Sequence, residues 1–331
     1  MVAWTLDKRD IRAFTILAIF ITLLAGVGIT LLSRQAAKAQ HVGRLLNTRS
    51  CNRCDLDGVT LRRADLVDTS MRNTSLRDVD FVDADLSGIN LAEAVLSGAN
   101  LVRANLSGAD LSGAVLSGAV LDRAILTQAD LRGAYIGDAS LEEAILDNAA
   151  LGDAILTRTT LRRASLGNVN LQHADLDGTD LRGAKLRESR MVRASLGDAD
   201  LEDADLSRTD LRRADLRRAN LRSANLRQAN LRDANLSSAD LAAADLSNAN
   251  LSRIFTRDTD LSEAILRSSN LRDAVLFKAN LSGADLRGAV LQDANLRRAT
   301  LKDANLEGVD LRGARLCDTQ MPSGVVSNRD C

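Results

Sequence analysis

The chain has 331 residues, with 43 Lys and Arg set against 44 Asp and Glu, and with four Cys, two His and 2% aromatic residues. A formal net charge of −1 argues against a uniformly basic nucleic-acid binder and against a one-signed acidic chain. A single Trp4 and a single Tyr135 offer no aromatic platform on which bases could stack.

Residues 1–12 form a short flank of mixed charge, with Lys8, Arg9 and Arg12 ahead of an apolar run. From Ala13 to Leu32 the chain carries no charge for 20 residues. At ~1.5 Å per residue that makes ~30 Å of helix, enough to cross a bilayer core. The span 13–32 is therefore expected to be a transmembrane helix that anchors the chain. Ala37-Lys38-Ala39 before Gln40 resembles a signal-peptidase site, so secretion after cleavage near Ala39 is the alternative. The run exceeds the roughly 7–15 residues of a signal-peptide core, which favours the anchor. Arg34, Lys38, Arg44 and Arg49 follow the run and balance the basic residues before it, so charge does not orient it. Residues 33–50 read as a linker and N-terminal cap.

Residues 51–321 repeat every five positions. Of the 53 positions from Leu56 to Leu316 in steps of five, 48 are Leu, the others being Met71, Phe81, Ile136, Met191 and Thr256. Two residues before each stands a small or β-branched residue, usually Ala. Apolar spacings thus alternate two, three, two, three, as in Ala104, Leu106, Ala109, Leu111. A spacing of two is the strand signature, and the odd third residue must be absorbed by a corner. A helix would give spacings of three and four instead. The segment therefore reads as an all-β solenoid with Leu and Ala turned inward and Asp or Asn between them turned out. Ala at the second inward position lets a narrow coil close without overfilling.

Cys51-Asn52-Arg53-Cys54 opens this segment. A zinc site would need a second such pair, and His41 and His173 are isolated. A redox motif would need a helix N-terminus in a βαβ setting, which is not visible. The remaining reading is structural: Cys51 takes a Leu slot and Cys54 an Ala slot, and both contribute to a cap.

The runs Ala-Asp-Leu-Ser-Gly and Ala-Asn-Leu-Arg-x resemble those of the pentapeptide-repeat family, over about four-fifths of the chain. The stretch Leu45 to Leu56 is similar to the opening of many cyanobacterial members, and Cys317 to Cys331 to their tails. The resemblance implies a right-handed quadrilateral β-helix with four pentapeptides per coil. Dividing 53 positions by four gives about 13 coils, a rod roughly 60 Å long at the ~4.8 Å strand spacing.

Residues 322–331 form the C-terminal cap or tail. In such a rod Cys51 and Cys54 lie far from Cys317 and Cys331, so any disulfide must be local. A Cys317–Cys331 link would clamp the loop holding Pro322, where the last coil loses its neighbour. Local pairs of this kind point to an oxidising, exported compartment.

The outward residues carry whatever chemistry there is. From residue 51 on, 42 acidic and 36 basic residues leave a net charge of about −6 with the signs interspersed. Some relatives in the resembled family bind type II topoisomerases by imitating duplex DNA, which requires a dense acidic surface. This chain instead carries Arg212, Arg213, Arg217, Arg218, Arg222, Arg227 and Arg232 around one coil. That band is either a site for an anionic partner or a set of exposed ion-pair ladders with Asp and Asn, and the ladder is the stronger reading. Ile254-Phe255-Thr256 is the lapse in the pattern, read either as a local distortion that tucks Phe255 inward or as an exposed aromatic at a partner site. No catalytic constellation, cofactor loop, metal site or small-molecule pocket is expected. The sequence points to a non-enzymatic, membrane-anchored rod that meets a protein partner on the exported side. Topoisomerase binding by DNA mimicry is the alternative.

Overall fold

The computed structural model describes residues 28–331, with side chains from residue 35 onward. The chain divides into two compact units, one ending at Ile145 and one spanning Leu146–Cys331. Residues 13–27 of the expected transmembrane span lie outside the described residues. Its last five, 28–32, are helical and belong to α1, Gly28–Thr48. Helix α1 runs on through the stretch expected as linker and carries Arg34, Lys38, His41 and Arg44. Among the described residues no helix is long and apolar enough to cross a membrane.

In the first unit α1 leads into the coil. Leu45 is fully buried, Lys38 Nζ donates to the Asp57 carbonyl, and the Asp55 N–H donates to His41 Nδ1 at 3.3 Å. The coil itself is built one corner at a time. In Leu101-Val102-Arg103-Ala104, the Ala104 N–H donates to the Leu101 carbonyl at 2.9 Å while Arg103 has φ 57°. That is a type II turn, whose third residue sits in the left-handed region. Every fifth residue from Arg53 to Asp318 has positive φ, and none is β-branched, because a branched Cβ would clash there.

After each corner one residue bridges to the coils on either side. Asn105 N–H donates to the Ala84 carbonyl at 2.9 Å, and Leu106 N–H to the Ile125 carbonyl at 2.6 Å. The parallel bridges Asp85↔Asn105 and Asn105↔Ile125 join residues 20 apart, so four pentapeptides complete a coil. The fold is thus a four-sided β-helix, a point the five-residue period alone leaves open. Leu101, Ala104, Leu106 and Ala109 are fully buried, as are Met71 and Phe81 in Leu slots. Burying each Leu is worth ~1.5–3 kcal/mol before conformational entropy is charged.

The second unit repeats the pattern, with Leu146 N–H on the Ser165 carbonyl at 2.7 Å and Ala150 bridged to Asn170. Several small slots hold Thr, and each hydroxyl needs a partner once buried. Thr179, Thr259 and Thr319 donate to the carbonyls of Leu156, Leu236 and Leu296 at 3.0, 2.7 and 2.7 Å. Ser189 is buried and its hydroxyl has no partner among the described residues.

The structure corrects one of the two readings of Ile254-Phe255-Thr256. Phe255 is not tucked in: it stays outward at 52% exposure and bridges both Asn235 and Val275. No slip is needed, because Thr256 fills the Leu slot with its hydroxyl donating to the Val275 carbonyl at 2.9 Å and Ile254 is buried beside it. The chain then ends in two short strands, β1 (Thr319–Gln320) and β2 (Val326–Ser327), paired antiparallel.

Candidate interaction surface

The bridging residues are Asp or Asn at most coil positions, and the reason is local. Their Oδ1 accepts the N–H of the residue two places on, as in Ser87 to Asp85 at 3.1 Å and Arg212 to Asp210 at 3.3 Å. The side chain thereby satisfies a corner N–H that the coil leaves over. Where Asn stacks on Asp it also donates across coils, Asn220 to Asp200 and Asn225 to Asp205, both at 2.9 Å. At these two pairs an amide faces a carboxylate, which avoids placing like charges directly opposite, whereas Asp180 and Asp200 bridge as two carboxylates.

All seven arginines of the Arg212–Arg232 band have acidic partners. Arg212 meets Asp210 at 2.7 Å, Arg217 meets Asp215 at 2.5 Å and Arg218 meets Asp198 at 2.5 Å. Arg222 and Arg227 reach Asp240 and Asp245, each at 3.1 Å. Arg213 and Arg232 lie 3.9 and 3.6 Å from Asp233, which Arg253 contacts at 2.6 Å. The hydrogen bonds that Arg218 donates hold the Asp198 carboxyl below its ordinary range, and the same bonds raise Arg218. Burial pushes Asp210 up, but the bonds from Arg212 outweigh it and the carboxyl sits low. Arg213, Arg218, Arg222 and Arg227 pair with a carboxylate on a neighbouring coil and Arg212, Arg217 and Arg232 with one on their own, so each guanidinium is engaged within the chain.

The structure joins Cys51 to Cys54 (S–S 2.01 Å) and Cys317 to Cys331 (S–S 2.18 Å). Cys51 and Cys54 occupy inward slots and are buried. The sulfurs of Cys317 and Cys331 lie near Asp318, but sulfurs held in a disulfide are not thiolate ligands. His173 is at the surface, 3.4 Å from Asp153.

What departs from the ladders is apolar. In the first unit the bridging slots hold Val95, Val115 and Tyr135 in one column and Ile125 and Ile145 in another. Tyr135, Ile125 and Ile145 are 37–38% exposed. In the second unit Phe255 stacks next to Val275, and the half-buried Phe277 ring lies 5.7 Å from both the Arg257 guanidinium and Lys278 Nζ. Attention to Leu and Ala slots overlooks these columns. The signal lies at every fifth bridging position, where β-branched or aromatic residues replace Asp and Asn. Two open clefts of about 340 and 330 Å³ lie at Leu311–Arg315 with Arg329 and Asp330, and at Asn52, Arg53, Arg72 and Asn73. Neither gathers a nucleophile with a base.

The family description "Pentapeptide repeats" matches in eight copies, at residues 54–91, 89–128, 124–163, 164–203, 194–233, 214–253, 257–293 and 279–319. Among solved structures the chain is similar to HetL, a pentapeptide repeat protein involved in heterocyst differentiation regulation from the cyanobacterium Nostoc sp. strain PCC 7120. Identity is 35%, covering 66% of this chain and 91% of HetL, with a TM-score of 0.37. Rfr23 from the cyanobacterium Cyanothece 51142 is 28% identical over 37% of this chain and 100% of its own, with a TM-score of 0.23. Full-length QnrB1, a plasmid-mediated fluoroquinolone resistance protein, is 19% identical over 80% of this chain and 92% of its own, at a TM-score of 0.18. None of the curated proteins matches the chain.

Proposed function

The chain belongs to the pentapeptide-repeat family, and on that footing we propose that it is a non-enzymatic scaffold, anchored to a membrane by residues 13–32, whose outer surface binds a protein partner. The observation that carries the reading is the contrast on that surface. Most bridging slots hold polar residues tied into hydrogen bonds and ion pairs, while the Val95–Val115–Tyr135 and Ile125–Ile145 columns of the first unit are apolar and outward. A rigid β-surface that exposes apolar columns between polar ones is suited to docking rather than to chemistry. The two disulfides support an oxidising, exported location, periplasmic or lumenal. Imitation of duplex DNA toward a type II topoisomerase is disfavoured, because the arginine ladders break up any one-signed field.

Two measurements test this. A C-terminal reporter fusion on the full chain should be active only as an exported-type reporter, and activity only as a cytoplasmic-type reporter would end the exported reading. Affinity capture with the membrane-inserted chain should recover a partner that Tyr135→Asp with Ile125→Asp loses while the fold, checked by circular dichroism, is retained. Capture unchanged by that double variant would move the binding surface elsewhere. Recovery of a soluble chain beginning near Gln40 would replace the anchor with secretion.

A further inference from the structure

One column of the second unit lacks acids toward the tail. Parallel bridges stack Asn235, Phe255, Val275, Asn295 and Arg315 on one side of the coil. Over the same coils the other three columns keep carboxylates, Asp240, Asp245 and Asp310 among them. The gap matters because of where Arg reaches. An Arg two places after a bridging residue pairs with a carboxylate there or on the next coil, as Arg287 and Arg267 do with Asp285 at 2.7 and 2.5 Å. Arg297 stands two places after Asn295, and neither it nor Arg315 has a carboxylate partner among the described residues. Arg257, two places after Phe255, turns instead to Asp258 at 3.4 Å and to the Phe277 ring. Lys278 shares both of those partners.

The corner at 297–298 leads onto the next side, where Asn280, Thr300 and Gln320 stack and Val326 pairs with Gln320. Lys302, two places after Thr300, is again without a carboxylate among the described residues. Exposed apolar groups stand on the same two sides: Phe255 at 52%, Val325 at 66% and Val326 at 54%. Asp273 and Asp293 lie on the far corner of the first side and bound the surface there. A corner of a four-sided coil is convex, so these side chains project from it. Three cations without carboxylates beside three protruding apolar groups make a surface suited to an anionic bilayer. The long basic side chains reach headgroups while Phe and Val enter just below them. A folded acidic protein would have to offer a matching hollow, whereas lipids close over a convex corner of any outline.

We propose that this corner of the second unit rests on a lipid bilayer through anionic headgroups. Arg297, Lys302 and Arg315 meet the phosphates, and Phe255 and Val326 enter beneath them. The contact goes beyond the proposed anchor at 13–32 and does not depend on it.

The test uses the full chain with Phe255→Trp in a Trp4→Phe background, so that a single indole reports on the corner. Circular dichroism confirms the fold of each variant. The chain is reconstituted in vesicles of phosphatidylcholine, alone or mixed with phosphatidylglycerol, carrying brominated acyl chains. The indole should be quenched and blue-shifted only where phosphatidylglycerol is present, and high salt should reverse the effect. Arg297→Glu with Arg315→Glu should lower the ratio of docked to free corner more than about tenfold, since each cation near such a surface is worth about fivefold. Ile265→Trp in the same background, on the opposite side of the coil, should stay unquenched. If residues 13–32 do not insert, the same chain added to preformed vesicles gives the same readout, so failure of the anchor and failure of the contact are told apart. Equal quenching in both vesicles, quenching indifferent to the charge reversals, or no quenching at all would each overturn the proposal. So would an indole that shifts only when an acidic protein is added.

Discussion

At its start the coil is closed by a helix that drops Leu45 into the core, and at its finish by a folded-back tail that reaches two sides of four. Both ends carry a disulfide, but the two links span different amounts of chain, 3 residues at Cys51–Cys54 and 14 at Cys317–Cys331. A helix presents a closed set of backbone hydrogen bonds to the coil edge and cannot extend it. A tail of extended chain satisfies what it touches and leaves the rest of the edge ready to pair. The helix end leaves the apolar slots of the first coil buried, Leu61 and Leu66 among them, whereas the tail leaves Leu306, Val309 and Leu311 half-buried.

The comparison holds only if everything between the ends is uniform, and the sharpest way to break it is to disturb the register. Removing Ala104–Arg123, one full coil of 20 residues, should leave both ends folded, because the bridges re-form between residues 20 apart. Removing only Asn105 and Leu106 should turn polar side chains inward and abolish cooperative unfolding, as circular dichroism would record. Equal tolerance of the two deletions would refute the register. Next in size is Leu45→Ala, which removes the buried plug of the helix cap and should cost about 2–5 kcal/mol in denaturant unfolding. The same change at the half-buried Leu311 should cost less, about 1–2 kcal/mol.

The middle of the molecule was far more legible in the sequence than its ends. Leu at nearly every fifth position can face one axis only if the chain bends once per repeat, so the solenoid followed from Leu101, Leu106 and Leu111 alone. The type of bend was also written there, in the lack of β-branched residues from Arg53 to Asp318 at the positive-φ corners. What the period could not supply was the number of sides, which depends on which residues bridge. Nor did it reveal that Asp and Asn hold corner N–H groups rather than merely facing water. At the ends the local cysteine pairs were legible but the way the chain folds over the coil was not. The α1 cap rests on the burial of Leu45 and on His41 meeting Asp55, neither of which a five-residue period reports, and β1 and β2 are two residues each, too short for any periodic signal. The outward Phe255 was ambiguous because a Thr in a Leu slot reads as a defect until its hydroxyl finds the Val275 carbonyl.

Replacing both cysteines of a pair by Ser sharpens the contrast further. In the chain-entropy account, loss of the longer loop at Cys317–Cys331 should cost about 3 kcal/mol and loss of Cys51–Cys54 about 2. Site-resolved hydrogen exchange should show the first loss as fraying confined to the tail and last coil, and the second as little change while α1 still covers the start. A larger effect at Cys51–Cys54 would mean that the disulfide, not the helix, closes that end. Away from both ends, Ser189→Ala should raise stability by about 1 kcal/mol, because it removes a buried hydroxyl that has no partner among the described residues. A loss on that substitution would mean that the hydroxyl is satisfied in solution.

The smallest expected effect sits on a side that the tail leaves uncovered. Arg312 binds Asp310 through Nε at 2.9 Å and Nη2 at 2.7 Å, and with its backbone N–H holds that carboxyl at about 2, below its ordinary 3.8. A carboxyl with a lowered folded value stabilises the fold above the unfolded value, and that contribution fades as pH falls from about 4 through about 2. The pair is exposed, so water and salt screen it and the change in stability is small. Its titration is nevertheless readable by NMR at the Asp310 carboxyl, with a midpoint near 2 expected in the wild type. Arg312→Gln should bring that midpoint back toward 3.8, whereas Arg287→Gln, which removes the partner of Asp285 instead, should leave it in place. If neither variant moved it, the guanidinium would not be the cause.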